Sequence, residues 1–299
     1  MKKSNTINFG SLEFNANQFA DEMFWDEIIS NLHTSFSSNF SPELKFFELG
    51  KDSIEICKNN LVIDGYIKLP QLSWDDWFLN VREGIKYLKS INIPVPFIFT
   101  YCEPWMIQSK LSRVIKSLFG DEYCLLPEFW AWYVDPNNEE AGWGPHRDKG
   151  RRSLFENGEP ISLTVWIPLT DATIDNSCMY VIPANRDSSY LLDDWKKDLI
   201  DLQNIVALPV KAGSPLIWNS NVIHWGSKSL RKNVSPRISV AFEVQISKID
   251  PFNKPTIRSQ EVPNFESRLK LICKQILQYS HMYPLHPDLE SFAKNQLNK

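Results

Sequence analysis

Several features that define common protein classes are missing from this sequence of 299 residues. It has no CxxC pair, and its five cysteines are scattered along the chain: Cys57, Cys102, Cys124, Cys178 and Cys273. An odd, unpatterned set argues against a disulfide framework and against a zinc site built from thiolates. We therefore expect reduced thiols.

Long apolar runs are also missing. No segment approaches the roughly 20 apolar residues that span a bilayer. The two lysines of the N-terminal MKKSNTINFGSLEF precede no apolar stretch, so we expect no signal peptide and a cytoplasmic location. The formal net charge of −4 gives no overall attraction to nucleic acid or to an anionic membrane. We expect neither as a partner, and the oligomeric state is not indicated.

Three widespread catalytic motifs do not occur: the HExxH of zinc hydrolases, the GxSxG elbow and the glycine-rich phosphate loop. The composition, with 43% hydrophobic and 23% charged residues, is that of an ordinary globular protein long enough to bury a large core. Any chemistry must therefore come from residues that the fold brings together.

The first part of the chain, residues 1–125, is predicted to be a helical region with short strands. Apolar spacing predicts helices over 16–36, over 73–91 with Ser73 as N-cap, and over 103–120 with Gly120 at its end. NNLVIDGYIKLP predicts a short strand and turn, and prolines break the apolar run IPVPFIFTY.

From about residue 128 the hydrophobic period changes to two, which is typical of strands. The predicted strands cover 129–134, 161–169, 179–183, 206–210, 214–220 and 237–246. Short strands between Pro, Gly and Asn loops favour an antiparallel barrel or jelly roll over 126–248. A helix over 265–279, in the extension 249–299, is expected to pack outside the barrel, and we expect one domain in all.

A candidate metal site is formed by three residues in two distant segments. His146 and Asp148 have the i, i+2 spacing that puts both side chains on one face of an extended segment. His224, predicted to lie in a loop, completes two imidazoles and a carboxylate, a facial set that suits non-heme Fe(II). The alternatives are a loop histidine beside a turn aspartate and a core histidine beside Trp225.

Arg237 and Ser239 share one face of the last predicted strand, opposite its apolar residues. An inward arginine needs an anionic partner, because a buried unpaired charge is costly, and its planar fork suits a carboxylate. The alternative is an exposed arginine at the end of a strand.

A basic loop follows the first histidine and contains Arg147, Lys149, Arg151 and Arg152. Alternation puts Arg147 and Lys149 on the face opposite the candidate ligands. We therefore predict that Arg151 or Arg152 stands at the pocket mouth and contacts an anionic substrate, such as a carboxylate, a phosphate or a carrier-bound acyl group. The alternative is a solvated turn.

These motifs in this order resemble the phytanoyl-CoA dioxygenase family of Fe(II)/2-oxoglutarate-dependent oxygenases. The resemblance covers roughly 128–245 and rests on His146-x-Asp148, then His224, then Asn233-x-Ser235-x-Arg237-x-Ser239. It implies a double-stranded β-helix (a cupin-like jelly roll) flanked by N-terminal and C-terminal helices, with the two histidines and the aspartate as iron ligands.

The resemblance also implies roles for four further residues. Arg237 would bind the distal carboxylate of 2-oxoglutarate with Ser239 as a helper, and Trp166 and Thr164 would line the metal site. The expected reaction is hydroxylation of a small or medium organic metabolite by Fe(II), O2 and 2-oxoglutarate, with release of succinate and CO2. Asp148 argues against halogenation, since halogenating members lack this carboxylate.

Other functions stay open at this point. Desaturation and ring formation use the same residues. The chain could instead be a non-catalytic jelly-roll metal-binding protein, or a cupin-like zinc or manganese enzyme. The substrate is not encoded in any single motif, and the loops 135–145, 149–158 and 185–200 are expected to shape its pocket.

Overall fold

The computed structural model of the protein describes residues 6–9, 12–38, 40–192, 200–232 and 235–299, so Asn233 and part of the predicted pocket loop 185–200 lie outside the described residues. The helices are α1 Glu22–Ile28, α2 Lys51–Ile63, α3 Asp76–Ser90, α4 Glu103–Lys110, α5 Ser112–Phe119, α6 Phe265–Gln278 and α7 Pro287–Leu297. The strands are β1 Thr6–Phe9, β2 Leu12–Asn15, β3 Tyr66–Lys68, β4 Tyr123–Val134, β5 Ser162–Pro168, β6 Met179–Ile182, β7 Val206–Leu208, β8 Leu216–Asn219, β9 Ile223–Gly226, β10 Arg237–Ile246 and β11 Ile257–Arg258.

The core is a jelly roll, also called a double-stranded β-helix, made of two antiparallel sheets. The large sheet has the strand order β11-β4-β10-β5-β8-β3, and the small sheet has the order β7-β6-β9. Residues from both sheets, such as Trp130 and Thr164 from the large one and His224 from the small one, line a single cavity. The predicted fold class is confirmed.

Strand β5 shows how the sequence sets the two faces of the large sheet. Leu163, Val165 and Ile167 are buried in the main hydrophobic core. Thr164 and Trp166 point the other way and line the cavity. This is the predicted alternation, and it gives one apolar face for the helices and one polar face for a site.

The helices cover the outer face of the large sheet. Apolar residues of α3 and α6, including Val81, Ile85 and Ile272, belong to the same hydrophobic core as Phe129 and Val240 of the central strands. The helix predicted for 265–279 is confirmed, and α7 follows it. No helix in the described ranges is both long and apolar enough to cross a bilayer.

Two predicted helix boundaries are wrong for local reasons. The stretch predicted as one helix over 16–36 is a 3-10 turn, Ala16–Ala20, followed by α1, because the side chain of Asp21 accepts a hydrogen bond from the amide of Met23 and caps a new helix. The helix predicted from Ser73 begins only at Asp76. Trp74 is held before it by a 3.0 Å hydrogen bond from its indole Nε1 to the carbonyl of Gly213.

Three further assignments differ from the prediction. NNLVI forms the end of helix α2 and only Tyr66–Lys68 is a strand. The helix predicted over 103–120 is two helices that break at Leu111, although the second ends as predicted at Gly120, whose φ is +66°. His224 lies in strand β9 rather than in a loop.

Candidate metal centre

The two candidate histidine ligands are brought together by backbone pairing. His146 and His224 face each other in an antiparallel bridge, with N–O distances of 3.2 and 3.0 Å. The two chain segments also approach closely at Gly142 and Gly226. A Cβ built on either glycine would lie 2.7 Å from the Cα of the other and 3.1 Å from Nη2 of Arg237, so neither position has room for a side chain.

The three predicted ligands converge on one point. One ligand atom from each of His146, Asp148 and His224 lies within 4.8 Å of the other two, and this group is a candidate metal site within the described residues. Asp148 Oδ1 is 3.4 Å from Nε2 of His146 and 3.6 Å from Nε2 of His224. Two imidazole nitrogens and one carboxylate oxygen are a donor set that suits Fe(II).

The second ring nitrogen of each histidine is already committed. Nδ1 of His146 lies 2.7 Å from the carbonyl oxygen of Gly144, and Nδ1 of His224 lies 3.1 Å from that of Val222. Because a carbonyl only accepts, each Nδ1 must donate its proton. The lone pair of each Nε2 is therefore directed at the shared point, as in many protein metal sites.

Asp148 is held by two side chains from the large sheet. Its Oδ2 accepts a 2.6 Å hydrogen bond from the Thr164 hydroxyl and a 3.2 Å hydrogen bond from the Trp218 indole N–H. Thr164 and Trp218 are paired residues on β5 and β8. These bonds fix the carboxylate and leave Oδ1 for a metal.

Protonation favours metal binding as well. Burial raises the pKa of Asp148, but the His224 and His146 imidazoles and the Thr164 hydroxyl outweigh it and hold that pKa well below the usual range. Burial lowers the pKa of His224 to about 4, by more than the neighbouring carboxylate raises it. The aspartate is thus ionised and His224 neutral at physiological pH, which are the forms that bind metals.

Arg237 lies beside this centre at the start of β10 and is only 1% exposed. Its guanidinium donates to the Ser239 hydroxyl at 2.7 Å, to the Ser177 carbonyl at 3.1 Å and to the Ser177 hydroxyl at 3.2 Å. Burial lowers its pKa to about 10, so it stays charged. Within the described ranges no carboxylate pairs with it, and it is over the ring of Trp166 at 5.7 Å.

The cavity around the centre has mainly aromatic walls. Trp166 contributes an indole nitrogen that is buried and has no hydrogen-bond partner within the described part of the chain. Beside it lies Arg237, which bonds two serines but has no anionic partner among the described residues. An acceptor bound from solution would satisfy both, because buried polar groups are rarely left unpaired.

Two glutamates also line this cavity, Glu128 from β4 and Glu243 from β10. The Lys149 ammonium lies 3.0 Å from Oε1 of Glu128 and 3.0 Å from Oε2 of Glu243. Burial, and then the nearby Asp148 carboxylate, raise the pKa of Glu243 to about 8, while Lys149 opposes the shift.

The first two cations of the basic loop, Arg147 and Lys149, are paired within the fold. Arg147 is buried and donates to Asp187 and to the carbonyl groups of Asn221 and Ser189. It therefore ties the ligand segment to its neighbours. Arg147 does face away from the ligands as predicted, but Lys149 turns toward the cavity because two carboxylates are there to pair with it.

Arg151 and Arg152 lie in a short 3-10 turn and are not among the residues that line the cavity. Arg151 donates to the carbonyl groups of Leu154 and Phe155, and Arg152 donates to that of Lys149. The prediction that one of them contacts an anionic substrate therefore has no support in the geometry of the cavity.

Of the other predicted residues, Thr164, Trp166 and Arg237 line the cavity, whereas Ser239 contacts Arg237 behind it. Sequence reasoning missed Trp218 and Glu243. Both could have been found by alternation, since Glu243 is on the same face of β10 as Arg237. It also missed Glu128 and Tyr279, which no local pattern marks.

The fold and the site define a jelly-roll protein with a facial two-histidine, one-carboxylate metal centre. The model of the phytanoyl-CoA dioxygenase (PhyH) family matches residues 80–234, just over half of the chain. The chain therefore belongs to this family of Fe(II)/2-oxoglutarate-dependent oxygenases. The match includes all three candidate ligands and ends before Arg237.

Solved structures support the fold. The epimerase SnoN, solved with Fe3+, alpha-ketoglutarate and nogalamycin RO, is 16% identical with a TM-score of 0.53, over 66% of this chain and 85% of that one. The carbocyclase SnoK from nogalamycin biosynthesis is 16% identical with a TM-score of 0.52, over 70% and 97%. EctD from S. alaskensis is 16% identical with a TM-score of 0.51, over 74% and 90%. No curated protein matches in sequence.

Proposed function

We propose that this protein uses Fe(II), O2 and 2-oxoglutarate to hydroxylate a small organic substrate, releasing succinate and CO2. One observation carries the proposal: beside the three candidate ligands lie two buried donors, Arg237 and Trp166, without an anionic partner among the described residues. A structural metal site needs no such donors. Both can donate to the oxygens of a dicarboxylate that also binds the metal.

His146, Asp148 and His224 would hold the iron and leave positions open for other ligands. When bound, the metal and 2-oxoglutarate supply the activation of O2, with the keto acid as the co-reductant. The protein provides positioning for this chemistry. Its Nδ1–carbonyl bonds and the Thr164 and Trp218 bonds to Asp148 fix the three ligand atoms before any metal arrives.

Arg237 would bind the distal carboxylate of 2-oxoglutarate, since its fork offers paired donors that match a carboxylate. Ser239 and Ser177 already hold the guanidinium in place. The Trp166 indole N–H would donate to a second oxygen of the co-substrate. The aromatic walls keep water away from the reacting atoms, so that these charges act in a medium of low dielectric constant.

The type of reaction must be determined by identifying the product. SnoN and SnoK, which share the fold, are described as an epimerase and a carbocyclase. Hydroxylation is the reaction that we propose here, because Asp148 occupies the coordination position that halogenating enzymes leave free. Ring formation or desaturation would use the same residues and give a product without an added oxygen.

The test is succinate formation by anaerobically prepared, Fe(II)-loaded protein after addition of 2-oxoglutarate and air. We expect iron-dependent succinate release that stops in Asp148→Ala and continues in the matched control His281→Ala, whose imidazole is exposed and does not line the cavity. Iron-loaded protein that neither binds nor consumes 2-oxoglutarate would favour the non-catalytic metal-binding alternative. Metal analysis of the same preparation separates iron from zinc or manganese.

A further inference from the structure

The cavity contains two glutamates that the proposed chemistry does not use. Glu128 and Glu243, which are 5% and 8% exposed, line it together with the three candidate ligands. Arg237 and Glu243 are six residues apart on β10, roughly 20 Å along the strand. The cavity therefore has a cationic end, where we place the co-substrate, and an acidic end.

An irregularity in the large sheet places Glu128 there. Between the pairs Phe242–Phe129 and Val244–Leu125, strand β10 has one residue, Glu243, whereas β4 has three, the last of which is Glu128. Such bulges interrupt the ladder and redirect side chains, often near active sites. Both carboxylates point into the same space as a result.

At the acidic end two carboxyl groups share the Lys149 ammonium. Lys149 is the one ammonium in ion-pair contact with the two carboxylates in the described part of the chain. Lys274 reaches Glu128 only through Asn253, which donates to Oε1 of that glutamate at 2.7 Å. The other oxygen of Glu128, Oε2, is buried without a hydrogen-bond partner in the described ranges.

Aromatic rings line the cavity beside the metal centre, and one of them, Tyr279, lies near the acidic end, since burial and then the carboxylates of Glu243, Asp148 and Glu128 raise its pKa. Trp143 is at the centre of a cluster, with ring centroids 6.0 Å from Trp130, 5.4 Å from Trp132 and 4.6 Å from Tyr279. Its ring is 5.9 Å from that of His146, so the cluster reaches the metal centre. The faces of such rings attract cations, most strongly where water is excluded.

We propose that the substrate of this oxygenase carries a positively charged nitrogen, which binds between Glu128, Glu243 and the aromatic cluster around Trp143. This inference rests on the proposed function, because it assigns the substrate of that same site. The ammonium group adds a second cation beside the two carboxyl groups that share Lys149 and gives Oε2 of Glu128 a partner. The carbon skeleton then extends toward the metal.

This proposal differs from the prediction made from Arg151 and Arg152, which was a negatively charged substrate. Both of those side chains bond backbone carbonyl groups outside the cavity, whereas the two glutamates line it. The contacts therefore favour a cation, and an anionic substrate becomes one outcome of the test.

The test uses three probes with one carbon skeleton: cyclohexylammonium, cyclohexanol and cyclohexanecarboxylate. Each is titrated calorimetrically into anaerobic protein loaded with Fe(II) and 2-oxoglutarate. We expect the ammonium to bind at least roughly tenfold more tightly than the alcohol, and the carboxylate to bind most weakly, since one charge-assisted hydrogen bond accounts for such a factor. Equal binding, tighter carboxylate binding, or no ammonium binding at millimolar concentration would overturn the proposal.

Variants of the cavity residues test where the preference for the ammonium probe over the alcohol arises. Glu128→Gln and Glu243→Gln keep the side-chain shape and should each reduce the ratio of ammonium to alcohol affinity by roughly tenfold. Glu156→Gln, an exposed glutamate outside the cavity, is the matched control and should leave the ratio unchanged. Trp143→Leu should lower the ratio and Trp143→Phe should retain it, which gives a second test if a glutamate variant does not fold. An unchanged ratio in the folded Glu128, Glu243 and Trp143→Leu variants would overturn the site.

The same samples separate this inference from the proposed function. Metal-dependent binding of 2-oxoglutarate without an ammonium preference would refute the substrate charge alone. An ammonium preference without any binding of 2-oxoglutarate would refute the oxygenase proposal and support the cation site.

Discussion

The two ends of the cavity are formed by different numbers of chain segments. The Arg237 end uses β10, the neighbouring β5 and one loop residue, Ser177. The acidic end combines the β4 bulge, Lys149 of the ligand segment, β10 and contacts from the tail, such as Asn253. Arg237, which has no ion-pair partner among the described residues, stands out in the sequence as a charge in an otherwise apolar strand. Lys149 and its two glutamates can be recognised as a group only once the fold brings their distant segments together.

The largest effect is expected from the ligands between the two ends. His146→Ala, Asp148→Ala and His224→Ala should each lower turnover of 2-oxoglutarate by more than about a hundredfold, because the loss of a supporting contact alone costs roughly 10–100-fold. Succinate assays with bound iron measured on each variant check this. Full activity in any one of them would show that the ligand set is misassigned.

The second-largest effect is expected at the Arg237 end of the cavity and not at the acidic end. Arg237→Lys keeps the charge but loses the fork, so 2-oxoglutarate affinity should fall roughly ten- to a hundredfold, about 1.5–3 kcal/mol. Calorimetry with 2-oxoglutarate measures this loss. The ratio of ammonium to alcohol affinity should stay as in wild type, since the variant alters only the cationic end. Unchanged 2-oxoglutarate affinity would place the co-substrate carboxylate elsewhere.

A smaller effect, on iron affinity, is expected from loss of the Thr164 hydrogen bond that supports Asp148. Thr164→Val removes the hydroxyl that bonds Oδ2 and leaves Trp218 as the other donor to this oxygen. Iron affinity should fall by about tenfold, the low end of the range for such supporting contacts. Competition with a chelator measures it, and Thr164→Ser should restore most of the loss. No loss in the valine variant would mean that Asp148 is fixed by the fold alone.

The smallest effect is expected outside both ends. Arg151→Gln combined with Arg152→Gln should change substrate-stimulated turnover by less than about twofold, because surface charges that line no cavity contribute little. A large, salt-sensitive rise in KM would instead revive the anionic substrate predicted from these residues.

Much of the site could be predicted because it follows local rules. The i, i+2 spacing gave His146 and Asp148, and alternation gave the inward faces of Thr164 and Arg237. The strand at His224 was missed because IHWG is too short to show a period. Lys149 was assigned to the wrong face, since its carboxylate partners lie 21 and 94 positions away in β4 and β10. Helix α3 begins later than predicted because a contact from Trp74 to Gly213, 139 positions away, holds the preceding residues.

Anaerobic calorimetry with 2-oxoglutarate tests whether one cavity binds a metal and 2-oxoglutarate together. We expect binding to the Fe(II)-loaded wild type, at least roughly tenfold weaker binding to Arg237→Lys, and no iron-dependent binding to Asp148→Ala. Binding of equal strength with and without iron, or in wild type and Arg237→Lys alike, would contradict this expectation.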